Sequence, residues 1–201
     1  MPNWDEDSPQ LRRNLTQILK DILSAAEKRE KPTLETARAW HTLLMRGLTV
    51  PNPRSIGAFR GEPGLENIQV RVGSNYGVNS AHVAAELTRF EAKLQELVAE
   101  LDALAPVGRE LDADHLAGIV DLCAWVHAVW VRIHPFANGN GRIARLWANS
   151  LAVRYGLPPF VRLRPRPHAG YERAGAQAML GDWRPTAIVF RRLLNDFLGQ
   201  A

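Results

Sequence analysis

The sequence predicts an all-α domain that carries one small β-hairpin. Apolar residues recur at intervals of three and four over most of the 201 residues, which is the spacing of helices with one buried face. Only the stretch 50–79 departs from it, with Pro51, Pro53, several glycines and a short alternating run. We expect an N-terminal helix within residues 1–30, followed by a helical domain over residues 31–201.

The first two helices have clear start signals. Ser8 and Pro9 are typical of an N-cap and a first helical position, and Thr33 is a second N-cap. The first helix is expected to run to about Glu27, and Gly47 is expected to end the second. Apolar residues then mark the buried face of the first helix: Leu11, Leu15, Ile18 and Ile22.

The exception to helical spacing predicts a strand. Residues 67–72 alternate polar and apolar side chains, as a half-buried strand does. We expect residues 48–60 to supply its partner strand.

The second half of the chain returns to helical spacing. Residues 80–104 carry one apolar seam, and Asp112 or Asp114 caps a following helix that is apolar almost all round. Such a helix belongs in the middle of a bundle. A loop at 134–140 precedes a helix over about 141–155, and two short helices follow at about 171–180 and 185–198.

Composition excludes several classes of protein. With 46% apolar and 23% charged residues, the chain is not wholly disordered, collagen-like or a coiled coil. Its single cysteine, Cys123, cannot form an internal disulfide and is expected in the core. The acidic start lacks the apolar segment of a signal peptide, and the apolar stretch 118–133 is interrupted by charges and too short for a bilayer. We therefore expect a soluble, cytoplasmic protein.

The stretch 134–145, HPFANGNGRIAR, concentrates the chemistry. Glycines on both sides of Asn140 allow a tight turn, and the helix that follows presents unpaired N–H groups and a positive dipole end to an anion. Arg142 and Arg145 share one face of its first turn and can both reach a phosphate chain. His134 ends the preceding helix and could accept a proton from a hydroxyl nucleophile. Each residue has a structural explanation when taken singly; their clustering favours a functional site.

The same stretch resembles the signature of the Fic (Fic/Doc) family, HPFx[D/E]GNGRxxR, and matches every fixed position except the acid. The resemblance covers roughly residues 35–198, including segments that begin at Trp40 and Ser55 and a C-terminal pattern of Tyr171 with Gly181-Asp182. Family members are helical proteins, and most transfer AMP from ATP, with a divalent ion such as Mg²⁺, to a Tyr, Thr or Ser hydroxyl of a target protein.

The resemblance implies a role for each matching residue. His134 would be the general base, and Phe136 would fix the loop from the core. The nucleotide would be held by an anion hole for the α- and β-phosphates, by two arginines at the β- and γ-phosphates, and by an aromatic ring at the adenine: Gly139, Asn140 and Gly141; Arg142 and Arg145; Tyr171. The predicted strand would be the flap that pairs with an extended target segment: Asn67, Ile68, Gln69, Val70, Arg71 and Val72.

Asn138 is the departure from the family pattern, which has a metal-binding Asp or Glu there. A neutral amide is a poorer ligand for a hard cation than a carboxylate. Three interpretations stay open: Asn138 still holds Mg²⁺ through its oxygen; the site uses another donor or transfers a different group; or the protein binds nucleotide without turnover.

The sequence contains weaker signals for regulation and for ligands other than a nucleotide. Many relatives carry an inhibitory [S/T]xxxE[G/N] helix; Glu66-Asn67 comes closest here but lies in an extended stretch. Two interpretations stay open: a separate inhibitory protein controls the activity, as in toxin–antitoxin pairs, or the chain is not regulated in this way. The N-terminal helix is either a docking surface for such a partner or an ordinary packed helix. Nucleic-acid binding through a run of arginines is an alternative: Arg154, Arg162, Arg164, Arg166 and Arg173.

The histidines outside the signature are expected to be structural or at the surface: His41, His82, His115, His127 and His168.

Overall fold

The protein is described from a computed structural model that covers residues 1–108, 110–167 and 170–199. These residues form seven α-helices and one two-stranded sheet, which confirms the predicted fold class. The elements are α1 (Pro9–Glu27), α2 (Leu34–Met45), β1 (Arg71–Val72), β2 (Asn75–Tyr76), α3 (Ser80–Leu104), α4 (Ala113–Ile133), α5 (Asn140–Arg154), α6 (Tyr171–Met179) and α7 (Arg184–Leu198). A 3₁₀ turn at Pro53–Ser55 follows α2. His168, expected to be structural, lies outside the described residues.

Local capping explains where several helices begin. The side chains of Ser8, Thr33 and Asp112 each accept a hydrogen bond from the backbone N–H three residues later. Each bond satisfies an N–H that the first helical turn leaves without a partner. Asp112 therefore caps α4, and Asp114 lies within its first turn.

Helix α4 is the central element of the bundle and contacts α3, α5, α6 and α7. It is 21 residues long, and by length and composition alone it could cross a membrane, so the sequence expectation that this stretch is too short was wrong. Of its most apolar window, 61% is buried inside the protein, as in a core helix. Cys123 is fully buried in it.

Helix α1 packs against α2 and α5 and buries its predicted apolar face. Asn14 adds a polar contact, because its side-chain amide donates to the carbonyl oxygens of Leu44 and Arg46 at the end of α2. The division of the chain at residue 30 stays a prediction.

The hairpin differs from the prediction in extent and in partner. Only Arg71 and Val72 of the stretch 67–72 form a strand, and they pair with Tyr76 and Asn75 rather than with residues 48–60. A two-residue connection brings the two strands together at little cost in chain entropy. Residues 48–60 contain Pro51 and Pro53, which lack the N–H that a ladder needs, and Thr49 forms a parallel bridge with Asn3 instead.

Candidate active site

His134 stands at the junction between α4 and the loop that leads to α5. It adopts a left-handed backbone conformation with φ 54° and ψ 54°, which is costly for a residue with a side chain. The following Pro135 disfavours continuation of the helix, so the chain turns at this point. The backbone is held by the His134 N–H, which donates to the Trp130 carbonyl at 2.9 Å.

The hydrogen bonds of His134 define which ring nitrogen is free. Pro135 has no N–H, so the Val131 carbonyl lacks its usual helical donor. The Nδ1–H of His134 donates to that carbonyl at 2.9 Å, which leaves the lone pair on Nε2. Burial lowers the pKa of His134 below its ordinary value, and the charge of Arg60 lowers it further. At neutral pH the ring is therefore uncharged, with Nε2 able to accept a proton.

Arg60 holds this junction together, and sequence reasoning did not assign it a role. Arg60 is 1% exposed, and its guanidinium donates to the carbonyl oxygens of His134, Ile133, Ile68 and Val78 at 2.7 to 3.0 Å. Two of these carbonyls belong to the end of α4, where the helix dipole favours a cation, and two flank the hairpin. Arg60 thus joins the residues on both sides of the hairpin, Ile68 and Val78, to the backbone of His134.

The residue that follows the hairpin, Gly77, passes very close to His134. A Cβ atom at Gly77 would lie 2.7 Å from the Cβ of His134, so only glycine allows this approach. Beyond the root, the hairpin is open to solvent, with Val72 43% and Tyr76 65% exposed. The strand predicted to receive a target is therefore accessible, in a hairpin followed directly by Gly77 and its contact with His134.

The glycines at the start of α5 allow a close backbone turn. Gly139 has φ 73° and caps α5 without a side-chain bond, and a Cβ there would meet Met45 at 2.7 Å. The N–H groups of Asn140 and Gly141 come first in the helix and have no partner within it. The Asn140 side chain instead accepts from the Phe136 N–H at 2.9 Å and donates to the Phe136 carbonyl at 2.7 Å. Because this side chain braces the loop, Asn140 itself can meet an anion only through its backbone N–H.

Both arginines of the signature are buried and already have partners. Arg142 donates to the Trp4 carbonyl at 2.6 Å, and the Trp4 ring lies 5.1 Å from its guanidinium. Burial lowers the pKa of Arg142 to about 10. Arg145 donates to the Tyr171 hydroxyl at 3.2 Å and to the Leu163 carbonyl at 3.1 Å.

Tyr171 links Arg145 to a histidine in the core. Its hydroxyl lies 2.7 Å from Nε2 of His127, and burial together with the charge of Arg145 lowers the pKa of His127 to about 3. The Arg145 guanidinium can only donate, so the Tyr171 hydroxyl accepts from it and also forms a hydrogen bond with Nε2 of neutral His127. The predicted contact of Tyr171 with adenine stays a prediction; its hydroxyl is engaged in this network, and the residue lines a separate cavity with Arg164.

Asn138 is held by His41, a contact that the sequence did not indicate. The Gly57 N–H donates to Nδ1 of His41 at 2.9 Å, so the proton is on Nε2. This Nε2–H lies 3.3 Å from the Asn138 side-chain oxygen and 3.2 Å from its carbonyl. The imidazole ring stacks on Phe136 at 3.9 Å, and burial lowers the pKa of His41 to about 4.

These contacts bear on the Mg²⁺ that the signature implies. The Asn138 oxygen is neutral and already accepts a hydrogen bond, and the described residues contain no cluster of three His, Cys, Asp or Glu side chains that could hold a metal. Protein-bound Mg²⁺ is usually held by at least one carboxylate. The donor set does not fit a metal held in this way.

One cavity brings together six of the predicted site residues, whereas Tyr171 and residues 67–72 do not line it. It measures about 290 Å³ and is lined by His134, residues 139–142 and Arg145, together with Trp4, Asp5, Arg164 and Arg166. A neutral base, helix N–H groups and arginines thus face one space that suits an anionic ligand. Asn138 does not line it.

Comparison with known proteins places the chain in a family. A model of the Fic/DOC family matches residues 31–152, more than half of the chain. The chain belongs to the Fic/DOC family. Curated relatives include the protein adenylyltransferase Fic of Drosophila persimilis, 31% identical over 130 residues, which are 64% of this chain and 21% of that protein. The same-named protein of Nematostella vectensis is 45% identical over 67 residues, 33% of this chain and 15% of the relative. The chain therefore spans about a fifth or less of these relatives.

Solved structures share the Fic fold at low sequence identity. A Fic-domain signalling protein from Bacteroides thetaiotaomicron matches with a TM-score of 0.63 and 22% identity, over 92% of this chain and 69% of that one. The BepC protein of Bartonella tribocorum, solved with bound AMPPNP, has a TM-score of 0.59 and 17% identity, over 96% and 90% of the two chains.

Proposed function

We propose that this Fic protein is an adenylyltransferase that moves AMP from ATP to a Tyr, Ser or Thr hydroxyl of a target protein. The observation that carries the proposal is the free Nε2 of neutral His134 on the cavity formed by the α5 N-terminus and two buried arginines. The adenylyltransferase names of the curated relatives and the AMPPNP in the Bartonella structure support the choice of ATP.

The proposed reaction uses the chain's own groups at each point. The target hydroxyl oxygen attacks the α-phosphorus, a P–O bond forms, and the bond from that phosphorus to the oxygen bridging to the β-phosphate breaks. The hydroxyl proton passes to Nε2 of His134, and pyrophosphate leaves. The N–H groups of Asn140 and Gly141 and the charge of Arg142 stabilise the phosphate oxygens, because fixed donors need no reorganisation during the reaction.

Target recognition would use the exposed hairpin. An extended segment that pairs with its strand edge would deliver a hydroxyl beside His134, since Arg60 and Gly77 hold the root of the hairpin there. A separate inhibitory protein and a cytoplasmic location stay predictions of the sequence.

Labelled ATP distinguishes this reaction from its alternatives. We expect protein bands labelled from [α-³²P]ATP and none from [γ-³²P]ATP, because AMP retains only the α-phosphate. Label from the γ position would indicate transfer of a different phosphate group and contradict the proposal. Label from neither would favour the second candidate, a nucleotide-binding Fic protein without turnover.

Asn138→Asp tests the departure at the metal position. A carboxylate is a stronger Mg²⁺ ligand than an amide, so the variant is expected to gain about tenfold in Mg²⁺-dependent nucleotide affinity, a change of ~1.4 kcal/mol. Calorimetric titration with AMPPNP in Mg²⁺ and in EDTA measures this, and Asn138→Gln is the uncharged control. Equal Mg²⁺ dependence in the Asp variant and the wild type would contradict it. Transfer that appears only in the Asp variant would support the candidate without turnover.

A further inference from the structure

Arg164 reaches the candidate active site from outside the Fic signature. It lies in the segment 161–167 that follows α5, and it lines the same cavity as His134 and Arg142. Its Nε atom is buried and has no hydrogen-bond partner among the described residues. A buried guanidinium N–H without an acceptor lowers the stability of the folded protein, and an anion bound in the cavity would supply that acceptor.

Two consecutive carbonyl oxygens bridge Arg164 and Arg142. The Trp4 carbonyl accepts from Arg142 at 2.6 Å, and the Asp5 carbonyl accepts from Arg164 at 2.7 Å. The Asp5 carboxylate also lies near Arg142, with 4.0 Å between Oδ1 of Asp5 and a guanidinium nitrogen of Arg142. Residues 1–5 are themselves held at the α2 end of the domain, where the Trp4 N–H donates to the Thr49 carbonyl at 2.9 Å. Two oxygens of one segment thus stand against two guanidinium groups, as neighbouring oxygens of a phosphate chain could.

The charges around the cavity favour an anion in place of this segment. Arg142, Arg145, Arg164 and Arg166 all line it, and Asp5 is the one acidic residue among its described lining residues. After burial, the charge of Arg164 is the largest cause that lowers the pKa of Arg142, so the two cations repel each other. A phosphate group between them would remove that repulsion and supply charged acceptors, which bind arginine more strongly than carbonyls do.

We propose that Arg164 is a phosphate-binding residue that clamps the nucleotide's polyphosphate together with Arg142 when residues 4 and 5 move aside. The proposal rests on the nucleotide binding in the proposed function. It supplies cationic charge from the segment 161–167 at a site where position 138 offers no carboxylate for a metal. The shared ligand chemistry is that of linked phosphate groups, so inorganic tripolyphosphate and AMPPNP are both suitable probes.

A purely structural role for Arg164 predicts an effect of the opposite sign. If Arg164 only anchors the Asp5 carbonyl, its removal loosens residues 4 and 5, uncovers Arg142 and tightens polyphosphate binding. If Arg164 binds phosphate, its removal weakens that binding even though the competing segment is freed. The direction of the change therefore separates the two roles.

The test is calorimetric titration of the full chain with tripolyphosphate and with AMPPNP, both in EDTA. We expect Arg164→Gln to weaken binding of each ligand about tenfold, and Arg164→Lys to recover part of it because it keeps the charge. Arg162→Gln is the matched control, since Arg162 lies two residues away, is exposed and does not line the cavity. Thermal melts monitored by circular dichroism verify that the variants are folded.

Each outcome decides the proposal. Unchanged or tighter binding in Arg164→Gln overturns it, as does an equal loss in Arg162→Gln or no binding of either ligand by the wild type. Polyphosphate binding that depends on Arg164, in a protein that transfers no AMP, would support the clamp and contradict the adenylyltransferase activity. AMP transfer with wild-type binding in Arg164→Gln would contradict the clamp alone.

Discussion

Replacement of His134 by alanine is expected to lower AMP transfer by at least about a hundredfold, the range found when a general base is removed. The imidazole has its Nδ1–H committed to the Val131 carbonyl, so Nε2 is the atom that accepts the hydroxyl proton. Nucleotide affinity should change little, because the helix N–H groups and the arginines are retained. Transfer from [α-³²P]ATP measures the first effect, and titration with AMPPNP measures the second.

His82→Ala provides a matched control for the loss of a histidine. His82 is exposed near the start of α3 and does not line the cavity. Its variant should transfer AMP at the wild-type rate. Transfer by His134→Ala at a rate close to that of His82→Ala would remove His134 as the base.

The pH dependence of transfer follows from the same group. Burial lowers the pKa of His134, so the neutral, reactive form persists from alkaline pH down to below the ordinary histidine pKa. The rate should stay constant from mildly alkaline pH down through neutrality and should fall once the pH drops below the lowered pKa, where Nε2 becomes protonated. A half-maximal rate above pH 6.5, the ordinary value, would contradict this assignment.

Replacement of Arg60 by methionine is expected to destabilise the fold by at least about 3 kcal/mol, because buried carbonyls lose charged donors. The affected carbonyls belong to the α4 end and to both sides of the hairpin. Among the described residues, no other cationic side chain donates a hydrogen bond to them. Urea unfolding followed by circular dichroism measures the change. AMP transfer should fall as well, because His134 loses the contact that holds its backbone.

Two further variants define the source of the Arg60 effect. Arg54→Met removes an exposed arginine from the same segment and should leave the free energy of unfolding within about 0.5 kcal/mol of the wild type. Arg60→Lys retains the charge but has three donors on one atom instead of a planar fork, so it should recover only part of the stability. A loss below about 1 kcal/mol in Arg60→Met would contradict the role that we assign to Arg60 in joining the hairpin to the end of α4.

Helix positions were predictable because their signals are local. Ser8, Thr33 and Asp112 cap their helices through bonds to backbone groups three residues away, a distance that sequence spacing alone reveals. The apolar face of α1 was predictable for the same reason. The hairpin was less predictable, because alternation shows that a strand is favoured but does not show which partner strand is nearest in space.

The candidate site was predictable as far as it is contiguous. His134, Arg142 and Arg145 lie within twelve residues, so their proximity follows from the chain itself. The residues that they contact in the folded protein do not follow from the chain order. Trp4 meets Arg142 across 138 positions of sequence, and Arg60 meets His134 across 74.

Local sequence signals were enough to predict the helical class, the helix starts and a glycine-flanked candidate anion site beside a histidine. The chemical state of that site depends on packing: which nitrogen of His134 is free, that Asn138 faces the Nε2–H of neutral His41, and that Arg164 lines the same cavity as Arg142. Capping and periodicity act within a few residues, so the order of residues along the chain reveals them. Protonation, burial and charge repulsion, in contrast, depend on groups that are distant in sequence and that only packing brings together.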